Sequence, residues 1–215
     1  MPNWDSVLKE ISQLQATSNE SAFDKARRKY LKRLYQHTGR NIIAYYSGYL
    51  SKPRIEGIEI NDEDKNGFML CIHELDRGKG LDLILHTPGG DGQATISLVE
   101  YLRSMFGNDM RAIVPQIAMS AGTMIAFSCK EIVMGKQSSL GPIDPQFGVI
   151  AAANLLEEVK KARADIMTNP NLAAFWSPIL SKITPSFLER CEWAIKDANG
   201  FLETTLRYNM LSHLS

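Results

Sequence analysis

The chain has 215 residues, a length that suits one domain or one domain with helical extensions. Its 44% of hydrophobic and 22% of charged residues predict an ordinary soluble globular protein with enough apolar material for a core. The 24 basic and 24 acidic residues balance, so no overall field recruits nucleic acid or an anionic membrane.

Signals of export are absent from the first residues. The segment Met1 to Asp5 is polar and lacks the apolar core of a signal peptide. No apolar run approaches the roughly 20 residues that are needed to cross a bilayer. Cys71, Cys129 and Cys191 are odd in number and lie in apolar helical contexts, which predicts buried free thiols in a reducing compartment. The sequence therefore predicts a cytoplasmic protein.

The first 40 residues carry two helical patterns, over 4–14 and 21–36. Gly39 follows the second pattern, and glycine suits the left-handed conformation that ends a helix. The second helix contains a basic run from Lys25 to Arg33 that could bind nucleic acid. Because the total charge is balanced, we interpret this run as a solvated face or a face that contacts another subunit.

Residues 41–46 are β-branched and aromatic, which predicts a strand. After a loop, Asp62, Glu63 and Asp64 open a helical pattern. Three carboxylates could hold a metal, but negative residues also stabilise a helix N-terminus, so we interpret them as a cap. No Cys-x-x-Cys or His-x-x-x-His pair occurs, and we expect neither a metal nor another cofactor.

Residues 83–120 are read as a strand, a glycine turn, a helix and a second strand that leads to Ser120. The adjacent Gly89 and Gly90 leave backbone N–H groups free to point into one small space. Ser120 lies between small residues and opens a helix over 121–129, which exposes its hydroxyl beside helix N–H groups. These are a nucleophile and the oxyanion donors of an acyl-transfer site.

Two other uses of a glycine turn fit the sequence poorly. A phosphate-binding loop needs Gly-Lys-Ser/Thr at the start of the next helix, whereas Gly92 is followed by Gln93, Ala94 and Thr95. Glycines at 89, 90 and 92 are too closely spaced for the dinucleotide pattern.

The rest of the chain continues the alternation of strands and helices. A strand is predicted over 131–135, a proline-stiffened extended segment over 138–146, a helix over 151–167, and further helices from Leu172 and Pro185. Strands that alternate with helices indicate an α/β fold with a mostly parallel sheet.

Three segments resemble, in order and spacing, motifs of the serine dehydrogenase proteinase family. They are Leu85 to Asp91, Met119 to Thr123 and Leu140 to Gln146. Further similarity at Arg27 to Leu31, Thr38 to Asn41 and Ala194 to Met210 extends the resemblance over nearly the whole chain. That family has the Clp protease/crotonase fold and is related to signal peptide peptidase A.

The resemblance implies a fold of repeated β-β-α units with N-terminal and C-terminal helical extensions. We expect a helical extension over residues 1–40, a Clp/crotonase-like core over 41–150 and C-terminal helices over 151–215. It also implies a homo-oligomer that acts on peptides or unfolded protein segments.

The same resemblance implies roles for individual residues. Ser120 is the expected nucleophile, and the backbone N–H groups of Gly89 or Gly90 and of Ala121 form the expected oxyanion hole. Removal of one such donor typically costs roughly 10²–10³ in rate.

The general base is harder to assign. The Clp proteolytic subunit places a histidine on the extended segment after the nucleophile helix, and the comparable residues 143–146 contain none. The histidines are His37, His73, His86 and His213. His86 precedes the glycine turn and could reach the cleft, but we favour a structural role for it.

Signal peptide peptidases use a lysine that desolvation keeps neutral. The candidates are Lys160, Lys161 and Lys182, and we prefer Lys161 for its separation of a few tens of residues from Ser120. The alternative is a solvated lysine paired with Glu157. Asp144 is expected to line the cleft and to orient a partner or water, or else to fix the turn before its proline.

Two hypotheses from different classes follow. The first is a cytoplasmic Ser-Lys peptidase that works through an acyl-enzyme. The second is a non-hydrolytic scaffold or peptide-binding oligomer that retains the fold but lacks a competent base. Crotonase-like acyl-CoA chemistry is a third possibility. It uses an oxyanion hole without a serine nucleophile, so Ser120 would then have no catalytic role.

Overall fold

The structure is a computed structural model, and it describes residues 3–17, 21–50 and 55–211. Its helices are α1 (Trp4–Thr17), α2 (Ala22–Thr38), α3 (Asp62–Ile72), α4 (Gly92–Phe106), α5 (Ala121–Phe127), α6 (Ala152–Thr168), α7 (Ala173–Leu180) and α8 (Pro185–Tyr208). Its strands are β1 (Asn41–Tyr46), β2 (Leu81–His86), β3 (Met110–Val114), β4 (Ile117–Ala118), β5 (Glu131–Met134), β6 (Ser139–Leu140), β7 (Gln146–Phe147) and β8 (Ile150–Ala151). Short 3₁₀ helices lie at Arg77–Lys79 and Pro170–Leu172.

The predicted helix ends agree with the observed caps. Gly39 ends α2 in the left-handed conformation, with a φ of 68°. Asn61 caps α3 through its side chain, and Asp64 returns a hydrogen bond to the Asn61 backbone as a capping box. The acidic residues at the start of α3 therefore lie at the helix N-terminus, where Asp64 takes part in the cap, as expected.

The central sheet has four parallel strands in the order β1-β2-β3-β5. Leu83 of β2 lies opposite Ile43 of β1 and Ala112 of β3. Parallel neighbours need crossover connections, which α3, α4 and α5 supply. All three helices contribute to the same buried apolar cluster as Leu83 and Ala112, so they cover one face of the sheet. The predicted α/β fold with a parallel sheet is confirmed.

A second row of short pairings runs beside this sheet. Ile60 bridges to Gly90, Thr87 bridges to Ala118, and β4 pairs with β6, all in parallel. A strand, a short extended segment and a helix thus repeat along the chain as a β-β-α unit. This second row brings the glycine turn beside the segment that leads to Ser120.

The opposite face of the sheet carries a buried ion-pair network. Arg40 Nε and Arg111 Nη2 each lie 2.7 Å from a carboxylate oxygen of Asp82, whose side chain is 0% exposed. The hydrogen bond to Asp82 raises the pKa of Arg111. Two guanidinium groups thus compensate one carboxylate that is removed from water.

Two smaller apolar clusters flank the central one. Ile11 of α1 packs with Ala22 and Ala26 of α2. Leu155 of α6 packs with Cys191 of α8. Phe201 of α8 also packs against the central cluster, so the C-terminal helix α8 contacts the core. The boundaries expected near residues 40 and 150 remain predictions. Within the described ranges, no helix is both long and apolar enough to span a membrane.

The three cysteines are free, but the expectation that all are buried is wrong for Cys71, which is exposed. Helix α3 buries Phe68 and Ile72 and turns Cys71 toward solvent. Cys129 and Cys191 are buried as expected. Desolvation raises the pKa of the Cys129 thiol to about 12, which keeps it protonated near neutral pH.

Candidate active site

Backbone hydrogen bonds hold the end of β2 beside the segment that precedes Ser120. The Thr87 N–H donates to Ile117 O at 3.2 Å, and the Met119 N–H donates to Thr87 O at 3.0 Å. These bonds set the glycine turn and Ser120 side by side, although they are about thirty residues apart in sequence.

Gly89 lies directly against the predicted nucleophile. Its φ is 109°, and a Cβ at this position would lie 2.9 Å from both Ser120 Cβ and Met119 O and 3.3 Å from Ala121 N. Real Cβ atoms do not approach other atoms so closely, and a side chain disfavours this φ. Glycine is therefore required here both by conformation and by contact with Ser120.

Gly90 is held from the other side by the segment before α3. The Ile60 N–H donates to Gly89 O and the Asp91 N–H donates to Ile60 O, both at 2.8 Å. A Cβ on Gly90 would lie 2.2 Å from Ile60 N. Because Gly90 is the residue enclosed by this parallel bridge, its own N–H points away from Ile60.

The N–H groups of Gly90 and of Ala121, the first residue of α5, are among the backbone amides here that have no hydrogen-bond acceptor within the described part of the chain. The Gly89 N–H, by contrast, donates to Thr87 Oγ1 at 3.1 Å. The arrangement therefore offers one amide from the turn and one from the residue after Ser120.

Ser120 has a strained backbone, with φ 48° and ψ −112°. Among the described residues it is the one non-glycine residue with positive φ. Its side chain makes no capping hydrogen bond to α5, and the residue is half-buried. Strain of this kind costs on the order of 1–3 kcal/mol and is concentrated at functional sites, as in the strand-to-helix turn of hydrolase nucleophiles.

Thr123 ties α5 to the segment that carries Asp144. Its buried hydroxyl lies 2.8 Å from Ala118 O and 2.9 Å from Gly141 O, and it accepts a hydrogen bond from the Gly141 N–H at 3.1 Å. A Cβ on Gly141 would lie 2.5 Å from Met119 Cε. Asp144 follows three residues later and is half-buried, so its segment starts beside the nucleophile.

The lysine candidates lie on the C-terminal helices. Lys161 is exposed on α6, which packs against α7 and α8. Glu157 pairs with Lys160 at 3.3 Å, whereas the alternative to a catalytic Lys161 is a solvated lysine paired with Glu157. Lys182 is exposed in the turn between α7 and α8. The role of Lys161 as base stays a prediction.

His86 lies in an aromatic cluster on the other side of the strand from Thr87. Its side chain is almost fully buried, its ring stacks on Tyr46 with centroids 4.7 Å apart, and Nε2 lies 3.2 Å from Gln116 Oε1. Successive side chains point to opposite faces of a strand, so His86 and Thr87 face apart. His37 lies near the end of α2 and His73 just after α3, while His213 lies outside the described residues.

Sequence reasoning missed Thr87 and Thr123. Both are buried hydroxyl residues that bond to backbone groups at the ends of short segments. A buried threonine next to a glycine turn is a weak signal by itself. The Gly89 amide that bonds to Thr87 is only two residues away, but the conformation of the turn is set by the segments packed around it, and Thr123 bonds to Gly141 on another segment. The flanking proline at position 88 hints that the turn is rigid.

Comparisons with known proteins place the chain in a family. A sequence model described as ClpP-like SDH-type serine proteinase matches residues 12–175. Two uncharacterized proteins of Methanocaldococcus jannaschii are similar to the chain. One is 37% identical over 106 residues, which are 49% of this chain and 37% of that protein. The other is 37% identical over 98 residues, which are 46% of this chain and 33% of that protein.

The alignment thus spans about a third of the length of each of these curated relatives. The family match, by contrast, covers most of the chain and includes the glycine turn, Ser120 and the segment with Asp144. The chain therefore belongs to the family of ClpP-like SDH-type serine proteinases.

Proposed function

We propose that the protein is a serine peptidase that hydrolyses peptide bonds through an acyl-enzyme on Ser120. The observation that carries this proposal is the contact between Gly89 and Ser120, which sets the serine beside the two unpaired amides of Gly90 and Ala121. Family membership supports the same reaction class.

In the proposed reaction, Ser120 Oγ attacks the carbonyl carbon of the substrate and its proton passes to a general base. The carbonyl oxygen becomes an oxyanion that accepts hydrogen bonds from the N–H groups of Gly90 and Ala121. The base returns the proton to the leaving amine, and water then hydrolyses the ester on Ser120. The strained backbone of Ser120 holds its side chain at the start of α5 throughout.

Lys161 is the base that we propose, and Asp144 the group that orients a partner or water. A lysine accepts a proton only when it is neutral, which requires desolvation. Since Lys161 is exposed, its cover would have to come from a bound substrate or from a second copy in a homo-oligomer. Asp144 is half-buried, and it lies three residues after Gly141, which Thr123 holds by hydrogen bonds.

The proposed substrates are peptides or unfolded segments in extended conformation. Gly90 pairs with Ile60 through its neighbours, so its own N–H and C=O face away from that bridge. Extended peptides commonly bind by adding a strand to such exposed backbone groups.

Active-site labelling tests the proposal. A fluorophosphonate is expected to modify the wild-type protein, and the wild type is expected to cleave an unfolded protein substrate. Ser120→Ala should lose both activities and keep its melting temperature. Ser104→Ala removes an exposed serine of α4 and should behave as wild type. Equal labelling of Ser120→Ala and wild type would end the proposal.

A second candidate is a scaffold that binds peptides without cleaving them. It is favoured by one observation: within the described ranges, no histidine, lysine or carboxylate is hydrogen-bonded to Ser120 Oγ. A folded wild-type protein that binds an extended peptide but reacts neither with the fluorophosphonate nor with substrate would support this alternative.

A further inference from the structure

We propose that Thr87 is a positioning residue that engages the Gly89 amide and thereby leaves the Gly90 amide as the oxyanion donor of the turn. This inference rests on the proposed function. It goes beyond it by giving a role to a side chain outside the reacting groups, which explains why the turn presents the Gly90 amide and not the Gly89 amide.

A count of backbone donors across the turn carries the inference. The Thr87 N–H donates to Ile117 O and the Asp91 N–H donates to Ile60 O. Pro88 has no N–H. The Gly89 N–H donates to Thr87 Oγ1 at 3.1 Å. Of the donors in this segment, the Gly90 N–H is therefore the one left without an acceptor among the described residues.

The Thr87 hydroxyl is what distinguishes the two glycine amides. Thr87 is 0% exposed, so water does not replace its hydrogen bond to Gly89. A buried amide that loses its acceptor is costly, and the glycine turn is free to rotate toward a new partner. That rotation would move the next amide, at Gly90, away from the oxygen that forms in the transition state.

The Thr87 methyl group makes a second contact, with α5 itself. A Cβ on Gly122 would lie 2.4 Å from Thr87 Cγ2, so the methyl group packs against the backbone of Gly122. The Thr87 backbone also pairs with Ile117 and Met119. One residue therefore contacts both the turn that supplies one donor and the helix that supplies the other.

Two variants separate the hydroxyl from the methyl group. Thr87→Val keeps the shape and loses the hydroxyl, whereas Thr87→Ser keeps the hydroxyl and loses the methyl group. Loss of a whole oxyanion donor lowers the catalytic rate by roughly 10²–10³-fold. Thr87→Val should only displace such a donor, so we expect kcat and the rate of fluorophosphonate labelling to fall by about tenfold or more. KM should stay within about twofold, since the interaction is made mainly in the transition state.

Rescue by the conservative variant decides between positioning and packing. Thr87→Ser should remain within about threefold of wild type in kcat, because it retains the acceptor of the Gly89 amide. Wild-type rates in Thr87→Val would overturn the inference. An equal loss in Thr87→Ser and Thr87→Val would also overturn it, since packing alone would then explain the effect. Melting temperatures show whether each variant is folded.

A measurement on the wild-type protein needs no variant. The sequence contains a single Pro-Gly pair, Pro88–Gly89, and a single Gly-Gly pair, Gly89–Gly90. Carbonyl-¹³C proline with ¹⁵N-glycine therefore selects the Gly89 amide in NMR spectra, and carbonyl-¹³C glycine with ¹⁵N-glycine selects Gly90. The phosphonyl oxygen of the fluorophosphonate adduct stands in for the oxyanion.

On labelling, the Gly90 amide proton is expected to move downfield as it bonds to the phosphonyl oxygen, while the Gly89 signal stays in place. A shift of Gly89 with Gly90 unmoved would sink the inference and leave the proposed function intact. Failure of Ser120 to react with the probe would instead sink the proposed function, and the inference with it.

Discussion

The two halves of the proposed catalytic site differ in how the chain builds them. On the nucleophile side, backbone pairings and a contact that only glycine allows hold Ser120 beside the turn. On the base side, Asp144 is half-buried, and Lys161 is exposed on α6, which packs against α7 and α8. An oxyanion hole needs only oriented backbone amides, which the pairings between these segments can hold in place, whereas a lysine base also needs removal from water.

The largest expected effect tests the base side. Lys161→Ala should lower the rate of acyl-enzyme formation by about 10²–10⁴, because a positioned general base contributes that much. Lys160→Ala is the matched control, since Lys160 is the neighbouring exposed lysine and pairs with Glu157. Fluorophosphonate labelling rates and peptide cleavage measure both variants. Indistinguishable rates for the two variants would remove Lys161 from the mechanism and leave the nucleophile side untouched.

The next effect tests the nucleophile side. Gly89→Ala should lower activity by roughly 10²–10³, because the new Cβ displaces the turn from Ser120 and with it an oxyanion donor. Gly39→Ala is the control, since Gly39 also has a positive φ but a Cβ there meets nothing within 4 Å. Gly39→Ala should cost about 1 kcal/mol of unfolding free energy and keep full activity. Near-wild-type labelling of Gly89→Ala would show that the contact with Ser120 is dispensable.

A smaller effect tests the link between the two halves. Thr123→Val removes the hydroxyl that lies within hydrogen-bond distance of Ala118 O and Gly141 O. We expect cleavage to fall by about tenfold, since the segment with Asp144 is then less well positioned. Thr123→Ser should restore most of the activity. If both variants cleave at the wild-type rate, Thr123 does not couple the two halves.

The smallest expected effect on activity comes from the opposite face of the sheet. Asp82→Asn breaks hydrogen bonds to Arg40 and Arg111 and should lower the free energy of unfolding by about 1–3 kcal/mol. Urea unfolding measures this loss. The rate of Ser120 labelling should not change in the folded protein, because the network lies on the face away from the helices. A large fall in labelling would show that the two faces are coupled.

Much of this protein follows from local patterns. Periodicity and caps place the helices, as the Gly39 and Asn61 ends show, because these signals act over a few residues. The order of strand, glycine turn, helix and serine likewise predicts Ser120 as the nucleophile, and the family that these motifs indicate is the one to which the chain belongs. An apolar helical context does not show whether one particular side chain is buried. Cys71 lies in such a context, but α3 directs it to solvent.

The sequence by itself determined the alternation of strands and helices, the candidate nucleophile and the need for a glycine turn before it. Only the tertiary structure decided that Ile60 holds Gly90, that Thr87 takes the Gly89 amide and that Lys161 is exposed. The pairing of Ile60 with Gly90 joins segments far apart in the chain, and the exposure of Lys161 depends on how α6 packs. The hydrogen bond between Thr87 and Gly89 joins residues two apart, but the turn conformation in which it forms is held by those distant pairings. Propensities and spacing carry no information on which distant backbone groups pair, because the pairing is set by how the β-β-α units pack.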